Sequence, residues 1–461
     1  MSTAPALAES VPTPGYDRRQ VRTGVVHFGV GGFHRAHQAM YHDRLLNEGK
    51  GLEFGICGVG VLPGDRAMKE ALEAQDGCYT LVVKHADGTY EPRVIGSITE
   101  YLLAPDDPEA VVEKLAAETT RIVSLTVTEG GYDPQPDAPE PTTFGLIVAG
   151  LRRRRERGLG PFTVMSCDNL EGNGHRAHAA CVEFARRSDG ELADWIEREV
   201  AFPNSMVDRI TPQTTDGDRA EVRERFDIDD RWPVVCEPFT QWVLEDRFVA
   251  GRPPYEDVGV QVVDDVAPYE LMKLRLLNAS HQALCYFAYL DGYRLVHDAA
   301  QDPLYRTFLR GYMDAEGTPT LAPVPGVDLD DYKATLIERF SNSEVRDTVA
   351  RLCAESSDRI PKWLLPVIRH NLEQGGEIRR SAAVVASWAR YAEGVDEHGE
   401  PIEIVDRLSD RLTERARAGD FLADREVFGD LGDDERFRTA YQEALDSLHE
   451  RGARATVESL Q

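Results

Sequence analysis

Apolar residues gather into short unbroken runs in the first half of the chain. VVHFGV (25–30), FGICGVGV (54–61), RIVSLTVT (121–128) and FTVMSCDN (162–169) each end at a glycine or a polar turn. Runs of this kind are how strands buried on both faces read. Helical spacing fills the gaps between them. FHRAHQAMYHDRLLNEG (33–49) predicts one continuous helix with a glycine stop at Gly49. Strands alternating with helices predict βαβ units and a parallel sheet. YTLVVKH (79–85) and YEPRVIGSI (90–98) flank ADGT and predict a hairpin inserted in that sheet. Residues 1–20 read as a loose arm and YDPQPDAPEP (132–141) as a Pro-rich loop.

Past about residue 260 the pattern changes. YELMKLRLLNASHQALCYFAYL (269–290) is apolar almost all round, which predicts a buried helix. Helix follows helix from there, broken by TPTLAPVPGVD (318–328) and VDEHGEP (395–401). The expected architecture is therefore an α/β domain over 1–260 and a mainly α-helical domain over 261–461. The basic run LRRRRERGLG (151–160) sits at the polar end of a helix and reads as its solvated face.

Composition narrows the functional classes. The 461 residues carry 80 acidic and 52 basic side chains, a net charge of −28. Such a chain repels phosphate backbones and anionic lipid, so no nucleic-acid or membrane partner is expected. Its 42% hydrophobic content argues against disorder. No apolar run approaches the ~20 residues of a membrane span. The N-terminus lacks the basic and apolar regions of a signal peptide, so a cytoplasmic location is expected. Seven scattered cysteines without a CxxC read as reduced thiols.

Candidate chemistry begins where the first strand ends. Gly29-Val30-Gly31-Gly32-Phe33-His34 follows a buried strand and opens a helix. Gly29 permits a tight turn, and Gly31 lets the backbone approach a pyrophosphate at the helix N-terminus. The usual third glycine of this fingerprint is replaced by His34. Asp65, after the second strand, is the candidate for the adenosine ribose hydroxyls, although it falls a few residues late. Its neighbour Arg66 would instead favour a 2′-phosphate. His34 and His37 could pair on zinc, but no further ligands stand nearby, so no metal site is expected.

A second constellation lies in the buried helix. At about 100° per residue, with Lys273 at the origin, Glu270 falls near 60°, His281 near 80° and Asn278 near 140°. A lysine in apolar surroundings loses its charge more readily and can act as a general base. An asparagine can donate to an alkoxide without bringing charge. The alternative is a buried polar cluster that satisfies itself. Asn169 ends the fourth strand, at the edge where ligands bind in such sheets. Asp208 and Arg209 form a charged pair in an apolar turn, which could also be a structural ionic contact.

GVGGFHRAH, TVTEGGY (126–132), SCDNLEGNG (166–174), FPNSMVDRITP (202–212) and KLRLLNASH (273–281), in this order, closely resemble the mannitol dehydrogenase family. The resemblance implies a Rossmann-like N-terminal domain, a helical C-terminal domain and zinc independence. It implies Lys273 as general base and Asn169 and Asn278 as the pair that polarises the reacting oxygen. His281 corresponds to a substrate-hydroxyl ligand, Glu270 to a proton-relay glutamate and Asp208 to a substrate-binding aspartate. Arg351 and Arg359 are aligned with substrate-contacting cations, with Lys362 as a rival. Gly29, Gly31, Gly32, Phe33 and His34 form the implied dinucleotide loop. Tyr269 and Lys273 also fit YxxxK, but the glycine turn of the short-chain class is absent.

The expected reaction is NAD-dependent interconversion of a polyol and a ketose, D-mannitol and D-fructose first, with NAD preferred over NADP. Arabinitol oxidation and keto-uronate reduction (fructuronate or tagaturonate) are the alternatives within the family. An NAD-binding sugar sensor is the non-enzymatic one. A small-molecule substrate is the expected partner, and the chain is expected to be a monomer, with a homodimer as the alternative.

Overall fold

The computed structural model describes residues 11–132 and 142–461. The first ten residues of the expected arm, and the Pro-rich loop beyond Tyr132, lie outside the described residues. The chain divides into two compact units, Met1–Ala267 and Pro268–Gln461.

The first unit is built on a five-stranded parallel sheet in the order β5-β2-β1-β6-β7. Its strands are β1 (Thr23–Phe28), β2 (Gly55–Gly60), β5 (Ile98–Leu103), β6 (Ile122–Leu125) and β7 (Thr163–Ser166). Successive side chains leave opposite faces of a strand. Val25 and Ile122 accordingly join one core with Tyr41 and Trp242. Val26, Phe28, Val123 and Leu125 join another under α4 (Pro108–Ala116), α5 (Thr143–Glu156), α6 (Asn173–Arg186) and α7 (Gly190–Glu199). Each such side chain contributes about 1.5–3 kcal/mol by leaving water. The strand order reverses at β1, which makes its carboxyl end a topological switch point, where ligands bind in sheets of this kind.

Two smaller sheets accompany the main one. The hairpin of β3 (Tyr79–Lys84) and β4 (Tyr90–Ile95) forms where the sequence predicts, but outside the parallel sheet. It pairs instead with β9 (Val234–Cys236), a short strand more than a hundred residues downstream. The third sheet joins β8 (Ser205–Asp208), β10 (Gln241–Glu245) and β11 (Gln261–Val263).

Three local expectations need correction. The helix expected over 33–49 is two, α1 (Gly32–Ala36) and α2 (Gln38–Asn47), broken at His37 (φ −121°, ψ −91°). The His37 ring lies 2.9 Å from the Gln241 carbonyl and packs on Phe33 and Trp242, contacts that fix the break. The described part of the N-terminal arm is tied down. Val11 packs with Val82 and Val94, the Pro12 carbonyl accepts from the Val94 N–H, and Arg18 donates to the Gly96 and Ile98 carbonyls. In the basic run, Arg153 and Arg157 do meet surface carboxylates, but Arg154 is buried and donates to the Gly160, Ala117 and Thr120 carbonyls.

The second unit is helical. Its centre is α10 (Ala279–Leu290), buried along almost its whole length and reached through α9 (Ala267–Met272). Around it lie α12 (Pro303–Tyr312), α14 (Val349–Cys353), α17 (Arg379–Ala392) and α20 (Glu435–Glu458). A non-helical Gly452 (φ 82°) breaks α20 near its end. All seven cysteines of the chain are buried and unbonded. No helix among the described residues is long and apolar enough to cross a membrane.

Burial of neutral histidines in β1 and α2 sets an acid limit on the first unit. Burial lowers His27 to about 3 and His42 to about 4. The unfolded chain takes up these protons near pH 6.5, so it binds more protons than the fold does below that point. Stability is therefore full above pH ~6.5 and lost as pH falls toward 4 and then 3, at about 1.4 kcal/mol per pH unit for each histidine. Urea unfolding at pH 7, 6 and 5 is expected to show this slope, and His42→Gln to reduce it by one proton. A stability independent of pH over that range would refute the assignment.

Candidate active site

Beyond β1 the chain turns back on itself under tight steric control. Gly29 has φ +88°, and a Cβ there would sit 2.1 Å from the Thr126 carbonyl oxygen. Only glycine tolerates both. Gly31 is different, because a Cβ at this position meets nothing nearer than 4.0 Å. Its backbone faces open space, as close approach of a ligand requires. Gly32 starts α1, and Phe33 is half-buried with its ring 4.9 Å from that of His37. His34 is fully buried and stacks on His27 at 3.4 Å, so its side chain is a packing group and only its backbone is left to meet a ligand.

The two candidates for the ribose position, Asp65 and Arg66, have different partners. Asp65 Oδ2 accepts from the Val61 and Leu62 N–H groups at 2.8 and 2.9 Å, which fixes the carboxylate at the end of β2. Arg66 is held away by Asp106, with Nη1 3.1 Å from Oδ2.

The ends of β6, β7 and β8 are stitched together by buried polar groups. Asp168 accepts from the Val127 and Thr128 N–H groups (3.2 and 2.8 Å) and from the Tyr132 hydroxyl (2.7 Å). Burial pushes its carboxyl above the usual range, and these donors oppose the shift. Thr128 has φ +62° and ψ 173°, a region nearly confined to glycine that costs about 1–3 kcal/mol. The clamp on Asp168 holds it there. Asn169, the next residue, is exposed.

Asn173 and Asn204 extend this network, although neither stands out from ordinary turn residues in the sequence. Asn173 Nδ2 donates to the Asp168 and Ser205 carbonyls, and Asn204 Oδ1 accepts from the Gly174 N–H at the start of α6. Buried Glu245 accepts from both the Asn204 backbone and its side-chain amide. Asp208, the last residue of β8, is 4% exposed. Arg209 donates to the Glu237 and Ala36 carbonyls, which ties β8 to α1.

In the second unit the buried helix departs from α geometry where its polar residues cluster. Lys273–Asn278 is a π turn between α9 and α10, and the Ala279 N–H donates to Leu274 O, five residues back. Five-residue closure lowers the rotation per residue, so residues five apart are brought closer around the helix. Asn278 therefore falls nearer the Lys273 side of the helix than the ~140° that uniform α spacing gives. The turn is braced from outside. The Tyr312 hydroxyl donates to the Arg275 carbonyl at 3.0 Å, and the Arg275 guanidinium donates to the Thr320 carbonyl. A Cβ on Gly317, in a second π turn (Met313–Gly317), would come within 3.0 Å of Leu276 and 3.3 Å of the Arg275 carbonyl oxygen. Lys273 is 6% exposed and Asn278 3%. Glu270 and His281 are buried too, the His281 ring 4.4 Å from that of Phe340.

The two candidate arginines have partners of their own. Arg351 forms a two-pronged ion pair with Asp347. Arg359 donates to the Arg351 and Leu352 carbonyls and lies over the Trp363 ring. Lys362 is half-buried on α15 (Ser356–Trp363). Among the described residues no group of three or more His, Cys, Asp or Glu could hold a metal ion.

Comparison with known proteins bears on what these groups do. The profile of the mannitol dehydrogenase Rossmann domain matches residues 23–257, and that of the mannitol dehydrogenase C-terminal domain matches residues 265–449. The chain belongs to the mannitol dehydrogenase family. A family member, the mannitol 2-dehydrogenase of Aspergillus fumigatus, is 46% identical over 477 residues, covering 97% of this chain and 95% of its own. The solved mannitol 2-dehydrogenase of Pseudomonas fluorescens, a ternary complex with NAD and D-mannitol, superposes with a TM-score of 0.91. It is 45% identical, and the match covers 98% of this chain and 97% of that one. A D-sorbitol dehydrogenase in substrate-free form gives a TM-score of 0.89 at 36% identity, with 98% of each chain covered. The Rossmann-like and helical architecture of the mannitol dehydrogenase family is thus shared along nearly the whole chain.

The two glycines of the turn separate stability from ligand approach. Gly29→Ala is expected to lower the melting temperature markedly, since its Cβ collides with backbone. Gly31→Ala is expected to leave the melting temperature within a degree or two and to weaken NADH binding at least tenfold. Fluorescence titration with NADH beside thermal melts checks both. Unaltered NADH affinity in Gly31→Ala would show that no dinucleotide lies against the turn.

Proposed function

We propose that the protein is an NAD-dependent polyol dehydrogenase, with D-mannitol and D-fructose as its substrate pair. The observation that carries this reading is the buried π turn, which brings Asn278 toward the Lys273 side of an apolar helix. Its support is the family membership and relatives whose names specify mannitol oxidation along nearly the full chain.

The residues present fit a dinucleotide. Gly31 leaves room for a pyrophosphate, and Asp65 offers a carboxylate at the end of β2 while Arg66 is occupied by Asp106. That pairing suits the free ribose hydroxyls of NAD and not the 2′-phosphate of NADP. NAD, when bound, supplies the hydride chemistry.

In this reading the chain handles the proton and the oxygen. Lys273 accepts the hydroxyl proton in oxidation and returns it in reduction. Asn278 and Asn169 donate N–H groups to the oxygen as its charge develops. His281 and Asp208 hold neighbouring hydroxyls, and Glu270 passes the proton onward. Arg351, neutralised by Asp347, is poorly placed to recognise a substrate carboxylate, which favours a neutral polyol over a keto-uronate.

NADH absorbance with a panel of polyols, ketoses and keto-uronates, run with NAD and NADP, tests the assignment. Mannitol with NAD is expected to give the highest kcat/KM. Turnover confined to keto-uronates, or binding of NADH without turnover of any polyol, would replace it by one of the alternatives. Lys273→Ala is expected to keep NADH affinity and lose mannitol oxidation by roughly 10²–10⁴-fold, the range for a positioned acid–base group. Asn278→Ala is expected to lower kcat with little change in KM, because the oxygen's charge grows only on the way to the transition state. A pure rise in KM would assign Asn278 to ground-state binding.

A further inference from the structure

A cavity of about 430 Å³ opens in the first unit between α2 and the β3–β4 hairpin, away from the glycine turn. Met40, Leu81, Val83 and Pro92 give it apolar walls. Three guanidinium groups, those of Arg44, Arg93 and Arg209, also line it. Its size falls within the range of small-molecule sites.

The charges of this cavity are unusual for the chain. Arg18, Arg66, Arg153 and Arg252 of the same unit each meet a carboxylate. Arg44 and Arg93 form no ion pair among the described residues, in a chain of net charge −28. Arg44 instead lies over the Tyr41 ring. Glu91, the one acid of the lining, is exposed, with Oε1 3.1 Å from His85 Nε2. Asp43, which Arg93 influences from a distance, is taken by the Tyr16 hydroxyl and the Gly96 N–H. Arg209 is buried and uses three N–H groups on the Glu237 and Ala36 carbonyls. With five N–H donors on a guanidinium, two remain. Burial lowers the Arg44 pKa, and the charges of Arg209 and Arg93 lower it further. Like charges so gathered are relieved by an anion.

We propose that this cavity is a binding site for a phosphate monoester with a compact apolar body. Three guanidiniums match a dianionic phosphate, which accepts paired N–H donors from each. The apolar walls match a hydrocarbon body and not a sugar. The ligand is distinct from the coenzyme, since the glycine turn contributes nothing to the lining.

Calorimetric titration of the full chain with phenyl phosphate, under saturating NADH, tests this. Saturable one-to-one binding is expected, with affinity reduced at least tenfold in Arg44→Ala and in Arg93→Ala. Both arginines are exposed at the rim, and thermal melts establish that the variants fold. Inorganic phosphate and benzyl alcohol, each carrying half of the chemistry, are expected to bind at least tenfold more weakly. Binding that vanishes when NADH is present, or that is equal in both variants and the parent, would overturn the proposal. So would inorganic phosphate or benzyl alcohol binding as tightly as the ester.

Discussion

A helix that closes over five residues instead of four at Lys273–Asn278 is the constraint on which the proposed chemistry rests. Lys273 and Asn278 are five residues apart, a spacing that uniform α geometry would set about 140° around the helix. The π turn reduces that separation and brings Asn278 toward the Lys273 side. Such a turn weakens local hydrogen bonding and needs outside support. Tyr312 supplies it at the Arg275 carbonyl, and Gly317 lets a second π turn pack closely against the first.

The first unit solves a different problem, the placement of backbone. Gly29 lies so close to the Thr126 carbonyl that the turn after β1 and the segment after β6 must move as one. Asp168 then binds the segments after β6 and β7 together, and the asparagines 173 and 204 join α6 to β8. These clamps are buried hydrogen bonds, whose loss leaves unsatisfied groups at about 1–3 kcal/mol each. They hold the strained Thr128 and present Asn169 at the sheet edge.

The α/β first half and helical second half were legible because buried strands and buried helices differ in run length and period. The glycine turn was legible because its residues have few other uses. The π turn was not. KLRLLN reads as ordinary helix, and the cause of the five-residue closure lies partly in Tyr312 and Gly317, far along the chain. The hairpin of β3 and β4 was visible locally, but its partner β9 was not, since pairing across such a separation leaves no local periodicity. The inward turn of His34 was hidden for a similar reason, because it depends on stacking against His27 in the preceding strand. The direction of Arg66 was equally unreadable until Asp106 stood beside it.

The central claim is that the amine of Lys273 is the proton acceptor in alcohol oxidation. Chemical rescue addresses it directly. Small primary amines added to the Lys273→Ala enzyme should restore mannitol oxidation in proportion to the concentration of free amine, with efficiency rising with amine basicity. Restoration that follows ionic strength alone, or a variant that needs no rescue because it oxidises mannitol at the parent rate, would contradict the account.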